Sequence, residues 1–160
     1  MSVMKRGLRM ALSVLVAMNC TYSMAAGVLK LSSTELTLEP GKPASGLYVE
    51  NAGDTPLYLN VEQHLLTNPG HVPENLVPVS DVKEPSLLVF PGQLTLAPGQ
   101  KYRMGVKELA QPSQTRVWRI TFRPRERILV DSGQSERELT PLFVSIGYGV
   151  VIRQRVADEK

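Results

Sequence analysis

Cysteine is nearly absent: Cys20 is the only one among 160 residues, so no disulfide can form within the chain. The fold must rest on packed side chains and hydrogen bonds instead of a cross-link. Long helices are not expected, because 12 prolines are spread from Pro40 to Pro141 and no segment shows the 3.6-residue apolar period. Beyond the N-terminus no apolar run reaches the ~20 residues that a membrane helix needs. Aromatic residues make up 6% of the chain, too few for the exposed aromatic cluster of a carbohydrate-binding sandwich. No nucleophile elbow, phosphate-binding loop or H-E-x-x-H signature occurs, so an enzyme is not expected. His64 and His71 are the only histidines, and no Cys or acidic cluster joins them at ligand spacing. The expectation is therefore no metal site and no cofactor, with both histidines in exposed polar roles.

The N-terminus reads as an address. Lys5, Arg6 and Arg9 precede the apolar run 10–18 and then the small residues Ser23, Ala25 and Ala26. A positive flank, a short apolar stretch and a small-residue cut site describe a secretory signal peptide over residues 1–26, cleaved after Ala25 or Ala26. The apolar run is too short to cross ~30 Å of hydrocarbon, and Asn19 before Cys20 does not fit a lipoprotein cleavage site. Those three basic residues account for the whole formal charge of +3. The exported remainder is neutral, and the arginines in 121–127 are balanced by Glu126, Glu136 and Glu138. A nucleic-acid partner loses its support.

The remainder divides into short extended runs. Residues 28–38 end at the turn Glu39-Pro40-Gly41-Lys42, and residues 46–50 end at Asn51-Ala52-Gly53-Asp54. Residues 57–66 alternate Leu57, Leu59 and Val61 with Tyr58, Asn60 and Glu62. A polar passage over 67–86 reads as a loop. Residues 87–90 and 93–96 read as a strand pair around Pro91-Gly92. After the turn Ala97-Pro98-Gly99-Gln100, residues 101–107 and 115–123 form further strands, with a short helical turn expected over 110–114. Seven or eight strands with frequent turns predict an all-β, Ig-like sandwich, a single domain over residues 27–155, with 156–160 a tail. Leu59, Val61, Leu96, Val106, Trp118, Ile120 and Phe122 are the expected core, standing in for the missing disulfide.

The last run, 139–153, is unusual. Leu142, Val144, Ile146, Tyr148, Val150 and Ile152 share one face of it, while Phe143, Ser145, Gly147, Gly149 and Val151 share the other. Fifteen residues far exceed an ordinary strand of about five or six. Periodicity alone leaves two readings open: a central strand buried on both sides, or an edge strand offered to a partner.

Three stretches together resemble the N-terminal Ig-like domain of the periplasmic chaperones of the chaperone–usher pilus pathway, in their divergent alternate and common-pilus form. These are LKLSSTELTLEPGKPASGLYVENAGDTPLYLNVE, LLVFPGQLTLAPGQKYRMGV, and RVWRITFRP followed by a loop and LTPLFVSIGYGVVIRQR. The resemblance covers about residues 28–155. It implies a periplasmic chaperone that stabilises fimbrial subunits by donating its last β-strand for pilus assembly. Leu142, Val144, Ile146 and Tyr148 would be the donor side chains. Its partners would be pilin subunits and an outer-membrane usher, and an open edge strand also permits self-association. The basic residues with which that family holds a subunit's terminal carboxylate fall on Gly149 and near Glu35 here, so Arg119, Lys30 and Arg153 are the replacement cations, Arg119 foremost. The family has two Ig-like domains, and residues 156–160 stand where the linker would begin. A one-domain form, a truncated product and half of a split pair all remain open. The alternative is a secreted Ig-like structural or adhesion subunit of a surface fibre that uses the same strand internally or toward a like subunit.

Overall fold

The computed structural model describes residues 27–125 and 147–156. The leader assigned to 1–26, the charged loop and the first half of the last strand with Leu142, Val144 and Ile146, and positions 157–160 lie outside the described residues.

Among the described residues eleven strands follow one another: β1 (Leu29–Leu31), β2 (Glu35–Leu38), β3 (Tyr48–Asn51), β4 (Leu57–Leu66), β5 (Leu76–Pro78), β6 (Leu87–Phe90), β7 (Gln93–Leu96), β8 (Lys101–Arg103), β9 (Gly105–Glu108), β10 (Arg116–Pro124) and β11 (Tyr148–Gln154). One layer has the order β2-β11-β10-β4-β5, with β7 also on β4. The other holds β1-β3-β8 and the pair β6-β9. This is the expected all-β, Ig-like sandwich.

Three extended runs are each divided into two strands, which is why the strands outnumber the runs, and the first two of them serve both layers. In the first, the Ser33 hydroxyl donates to the Glu35 carbonyl (2.5 Å) and accepts from the Glu35 N–H (3.2 Å), a local turn that breaks the run. On one side of it β1 pairs antiparallel with β3, and on the other β2 pairs parallel with β11. In the second, residues 87–96 are not the hairpin expected from Pro91-Gly92. β6 pairs with β9 and β7 with β4, because Pro91 has no N–H to continue the ladder and the chain changes sheet there. In the third, Met104 separates β8 from β9, its side chain buried and its N–H donating to the Leu47 carbonyl at 2.8 Å.

Two other expectations are corrected. The passage 67–86 is not wholly loop: β5 pairs with the end of β4, and a 3-10 turn spans Val79–Asp81. No helical turn forms over 110–114. Pro112 disfavours helix in the residue before it, and the Ala110 N–H is committed to the Ser86 carbonyl at 3.3 Å. The expected turns at 39–42 and 97–100 do form, closed by Lys42 N–H to Glu39 C=O (3.1 Å) and Gln100 N–H to Ala97 C=O (3.0 Å). Gly41 and Gly99 both take φ near 72°, the value a Pro-Gly type II turn needs. The Lys42 ammonium, hydrogen-bonded to Glu39, holds that carboxyl below its usual range.

The core is the alternating set read from the sequence, enlarged. Leu59, Leu96, Trp118, Ile120 and Phe122 are buried, with Val61 and Val106 packed against them at the margin. Leu38, Leu47, Val49, Leu87, Val150 and Ile152 join them. The larger difference from expectation is polar. Three buried carboxamides tie chain segments together where a disulfide is lacking. Asn51 donates to the carbonyls of Thr55 (2.7 Å) and Leu96 (3.1 Å) and accepts from the N–H groups of Val28 (3.3 Å) and Gly53 (3.0 Å). Gln63, on β4, reaches the opposite layer: it donates to Leu87 C=O and accepts from Val89 N–H, both at 2.9 Å. Gln154, on β11, accepts from the Ser86 hydroxyl (2.6 Å) and donates to Glu108 (3.0 Å) and to the Ala110 carbonyl (3.2 Å).

A buried polar group stripped of its partner incurs its full desolvation cost. Gln63→Leu and Gln154→Leu, which leave main-chain or hydroxyl groups stranded, are each expected to lower unfolding free energy by about 1–3 kcal/mol in urea titrations. An unchanged midpoint and slope for both variants would remove the carboxamides from the account of stability.

Candidate partner-binding edge

β11 is the strand that the sequence singled out, and its two flanks differ along its length. On one side it pairs with β10 throughout, from Gln154 opposite Arg116 to Tyr148 opposite Phe122. On the other side the parallel ladder with β2 runs only over residues 151–154. Val151 N–H donates to Thr34 C=O and Arg155 N–H to Leu38 C=O, both at 2.9 Å. The odd residues therefore direct their main-chain groups toward the β2 side. Gly149, the next odd residue, lies before that ladder begins, and among the described residues no strand lies along the outer edge of 148–150. Residues 151–154 are central and paired on both sides, as the first reading had it, whereas 148–150 are paired on the β10 side alone among the described residues.

Burial changes at the same place. Gln154, Ile152 and Val150 are all 0% exposed, whereas Tyr148, on the same face, is 40% exposed. The face that fills the sandwich core at one end of β11 thus emerges into solvent at the other. The alternation Leu142, Val144, Ile146 continues this face in sequence, and those three residues lie outside the described ones.

The outer face of the same layer carries the arginines. Arg119 stands opposite Val151 on β11 and His64 on β4. Its guanidinium ion-pairs with Glu74, from the loop between β4 and β5, and reaches to 3.7 Å of where a Gly149 side chain would begin. Asn68 positions that loop by donating to Pro73 C=O (2.9 Å) and accepting from Asn75 N–H (2.6 Å). Arg123 pairs with Glu62 at 3.0 Å and Arg153 with Glu35 at 2.5 Å. Arg119 Nε and His64 Nδ1 are buried with no partner among the described residues. His64 is therefore half-buried between strands instead of exposed as expected, while His71 is exposed on its loop. Lys30 does not join this group. It lies on β1, on the outer face of the opposite layer, 3.9 Å from Glu50. Arg119 and Arg153 thus share a face and Lys30 does not. Sequence reasoning missed the acids that meet these arginines. Glu62 was legible as an outward residue of an alternating strand, but Glu74 and Glu35 come into place only through the hairpin loop and the parallel pairing. No group of three or more His, Cys, Asp or Glu that could hold a metal is present among the described residues.

A β-sandwich whose first strand is shared between layers and whose last strand is half covered defines a PapD-like, Ig-like class of fold. Solved structures with a similar fold include chaperones of fimbrial assembly. It is similar to the class 5 fimbriae chaperone CfaA, with a TM-score of 0.64 and 18% identity over 83% of this chain and 58% of that one. It is similar also to a chain of the Salmonella enterica SafA pilin–SafB chaperone complex, with a TM-score of 0.56 and 15% identity over 86% and 59% of the two chains. A PapD-like domain of human CEP192 shares the fold, with a TM-score of 0.53 and 10% identity over 89% and 96%. The chain spans about three fifths of the length of the fimbrial chaperones it matches. No protein-family model matches the sequence, and no curated protein does.

An uncovered edge exchanges its amide protons faster than a paired one. Amide hydrogen exchange followed by NMR is expected to show Gly149 exchanging much faster than Val151 and Arg155. Equal protection at the three positions would mean that the outer edge of 148–150 is already occupied.

Proposed function

We propose that the protein is a periplasmic assembly chaperone that holds fimbrial subunits by lending them its last β-strand, without ATP or cofactor. The single observation that carries this reading is the half-covered β11, whose open edge coincides with the point where its core face meets solvent. A subunit short of one strand exposes a hydrophobic groove and a sheet edge. A donated strand meets both needs at once: main-chain hydrogen bonds close the edge and alternate side chains fill the groove. Leu142, Val144, Ile146 and Tyr148 are the donor side chains in this proposal, each of the aliphatic ones contributing about 1.5–3 kcal/mol when buried. The likeness in fold to a chaperone solved with its pilin supports subunits of that kind as the partner. Export through the N-terminal leader and delivery to an outer-membrane usher complete the reading.

Ile146→Asp tests it. The isolated domain is expected to stay folded by circular dichroism while capture of a fimbrial subunit in a pull-down is lost. An unfolded Ile146→Asp protein would assign that face to the internal core, and undiminished capture would remove the strand from the mechanism.

The subunit's terminal carboxylate needs a fixed cation, and Arg119 is the one we assign. It lies beside the open half of β11, over Gly149, and its Nε–H has no partner among the described residues. Arg153 shares that face, and Lys30 is on the far side of the sandwich. Arg119→Met is expected to weaken capture about tenfold or more, the loss typical of a charge-assisted pair, while Lys30→Met leaves it unchanged. The reverse order of effects, measured by surface plasmon resonance, would exchange their roles.

A further inference from the structure

We infer that the outer face of the layer containing β3, β8, β9 and β6 is a docking surface for an extended, acidic segment of a partner protein. This face lies opposite the one that carries Arg119, so the inference does not depend on strand donation, and both surfaces can be occupied together.

The residues that point outward here follow from the register. Lys101 is opposite Glu50, Arg103 opposite Tyr48, Gly105 opposite Phe90 and Lys107 opposite Leu88. Met104 and Val106 turn inward to the core. Lys101, Arg103 and Lys107 therefore form a line along one run of chain, with alternate positions about 6.7 Å apart. The gap in the line is Gly105, and an aromatic ring fills it: a side chain begun at Gly105 would come within 2.2 Å of the Phe90 ring. Phe90 is 46% exposed, with Leu88 on the same strand at 37%. At the other end the Lys101 ammonium sits 4.8 Å from the centre of the Tyr48 ring, beside a hollow of about 100 Å³.

Charge decides what such a stripe accepts. On the opposite layer Arg119, Arg123 and Arg153 each have a glutamate partner. Here Lys101, Arg103 and Lys107 have none among the described residues, and Glu50, 3.9 Å from Lys30, is the acid that the register sets on this face. An extended peptide repeats its side chains at the same ~6.7 Å interval. Acids on alternate residues would meet Lys101 and Arg103, an apolar residue would cover Phe90, and a further acid would reach Lys107. An anionic lipid surface would need neither that interval nor an aromatic set between cations in line.

The test is fluorescence anisotropy with the protein and a labelled synthetic heptapeptide Asp-Ser-Asp-Ser-Leu-Ser-Asp, which sets three acids and one leucine on one face, against the same peptide with Lys in place of Asp. Binding of the acidic peptide alone is expected, weakening as salt shortens the screening length from ~30 Å at 0.01 M to ~10 Å at 0.1 M. Lys101→Glu with Arg103→Glu is expected to weaken it about tenfold or more. The pair Lys42→Glu with Lys83→Glu, which changes net charge equally, is expected to leave it within about twofold. Phe90→Ser lowers affinity with no change of charge. Should the first double variant fail to fold, Lys107→Glu at the far end of the line carries the same expectation. Equal losses in both double variants, no binding of the acidic peptide, or binding only to phosphatidylglycerol vesicles would overturn the inference.

Discussion

Every outer strand of a sandwich presents main-chain N–H and C=O groups that must find a partner, and the arrangement of this molecule follows from how it meets that demand. On the β6 edge the solution is a side chain. Gln63 accepts from Val89 and donates to Leu87, supplying one acceptor and one donor where a neighbouring strand would supply a ladder. On the β11 edge the solution is a second use of the first run of chain, which leaves one layer at Ser33 and lies parallel to β11 in the other. That cover begins at Val151. Before Val151, β11 is paired on the β10 side alone among the described residues.

The absence of a disulfide shapes the interior in a related way. Ig-like sandwiches often bridge their layers with one covalent link, and here polar contacts from Gln63 and Gln154 span the same gap. Such contacts specify geometry because each amide has a fixed donor end and a fixed acceptor end. Gln154 in particular joins the end of β11 to Ser86, just before β6, and to Glu108, at the end of β9. The strand with the open edge is anchored firmly at its other end.

Much of this was legible in the chain. Alternation in 57–66 and 115–123 gave β4 and β10 closely and placed Leu59, Trp118, Ile120 and Phe122 inside. Pro-Gly pairs located the turns at 39–42 and 97–100. The pattern did not reveal which strand a segment pairs with, since periodicity reports a face and never a neighbour. Residues 87–90 and 93–96 look like a hairpin from their turn residues, yet each finds its partner elsewhere. The buried roles of Asn51, Gln63 and Gln154 were invisible for the same reason, because a polar residue on an inward position is explained only by the carbonyls brought near it. Of the residues picked for binding, Tyr148 and Arg119 fall on the half-covered strand and its neighbour, on opposite faces of that layer. Lys30 was separated from them by the switch of the first run between layers.

The parallel seat of β2 has one further effect. A guest strand laid along the free margin of 148–150 would travel in the same lane as β2, in line with it and at the same distance from β11. Its near end would meet the Ser33–Thr34 corner head-on. Slippage by two residues, which side-chain alternation alone tolerates, would then be stopped by collision. For such a guest the corner would be an end-stop, setting how far it could advance before any of its side chains were read.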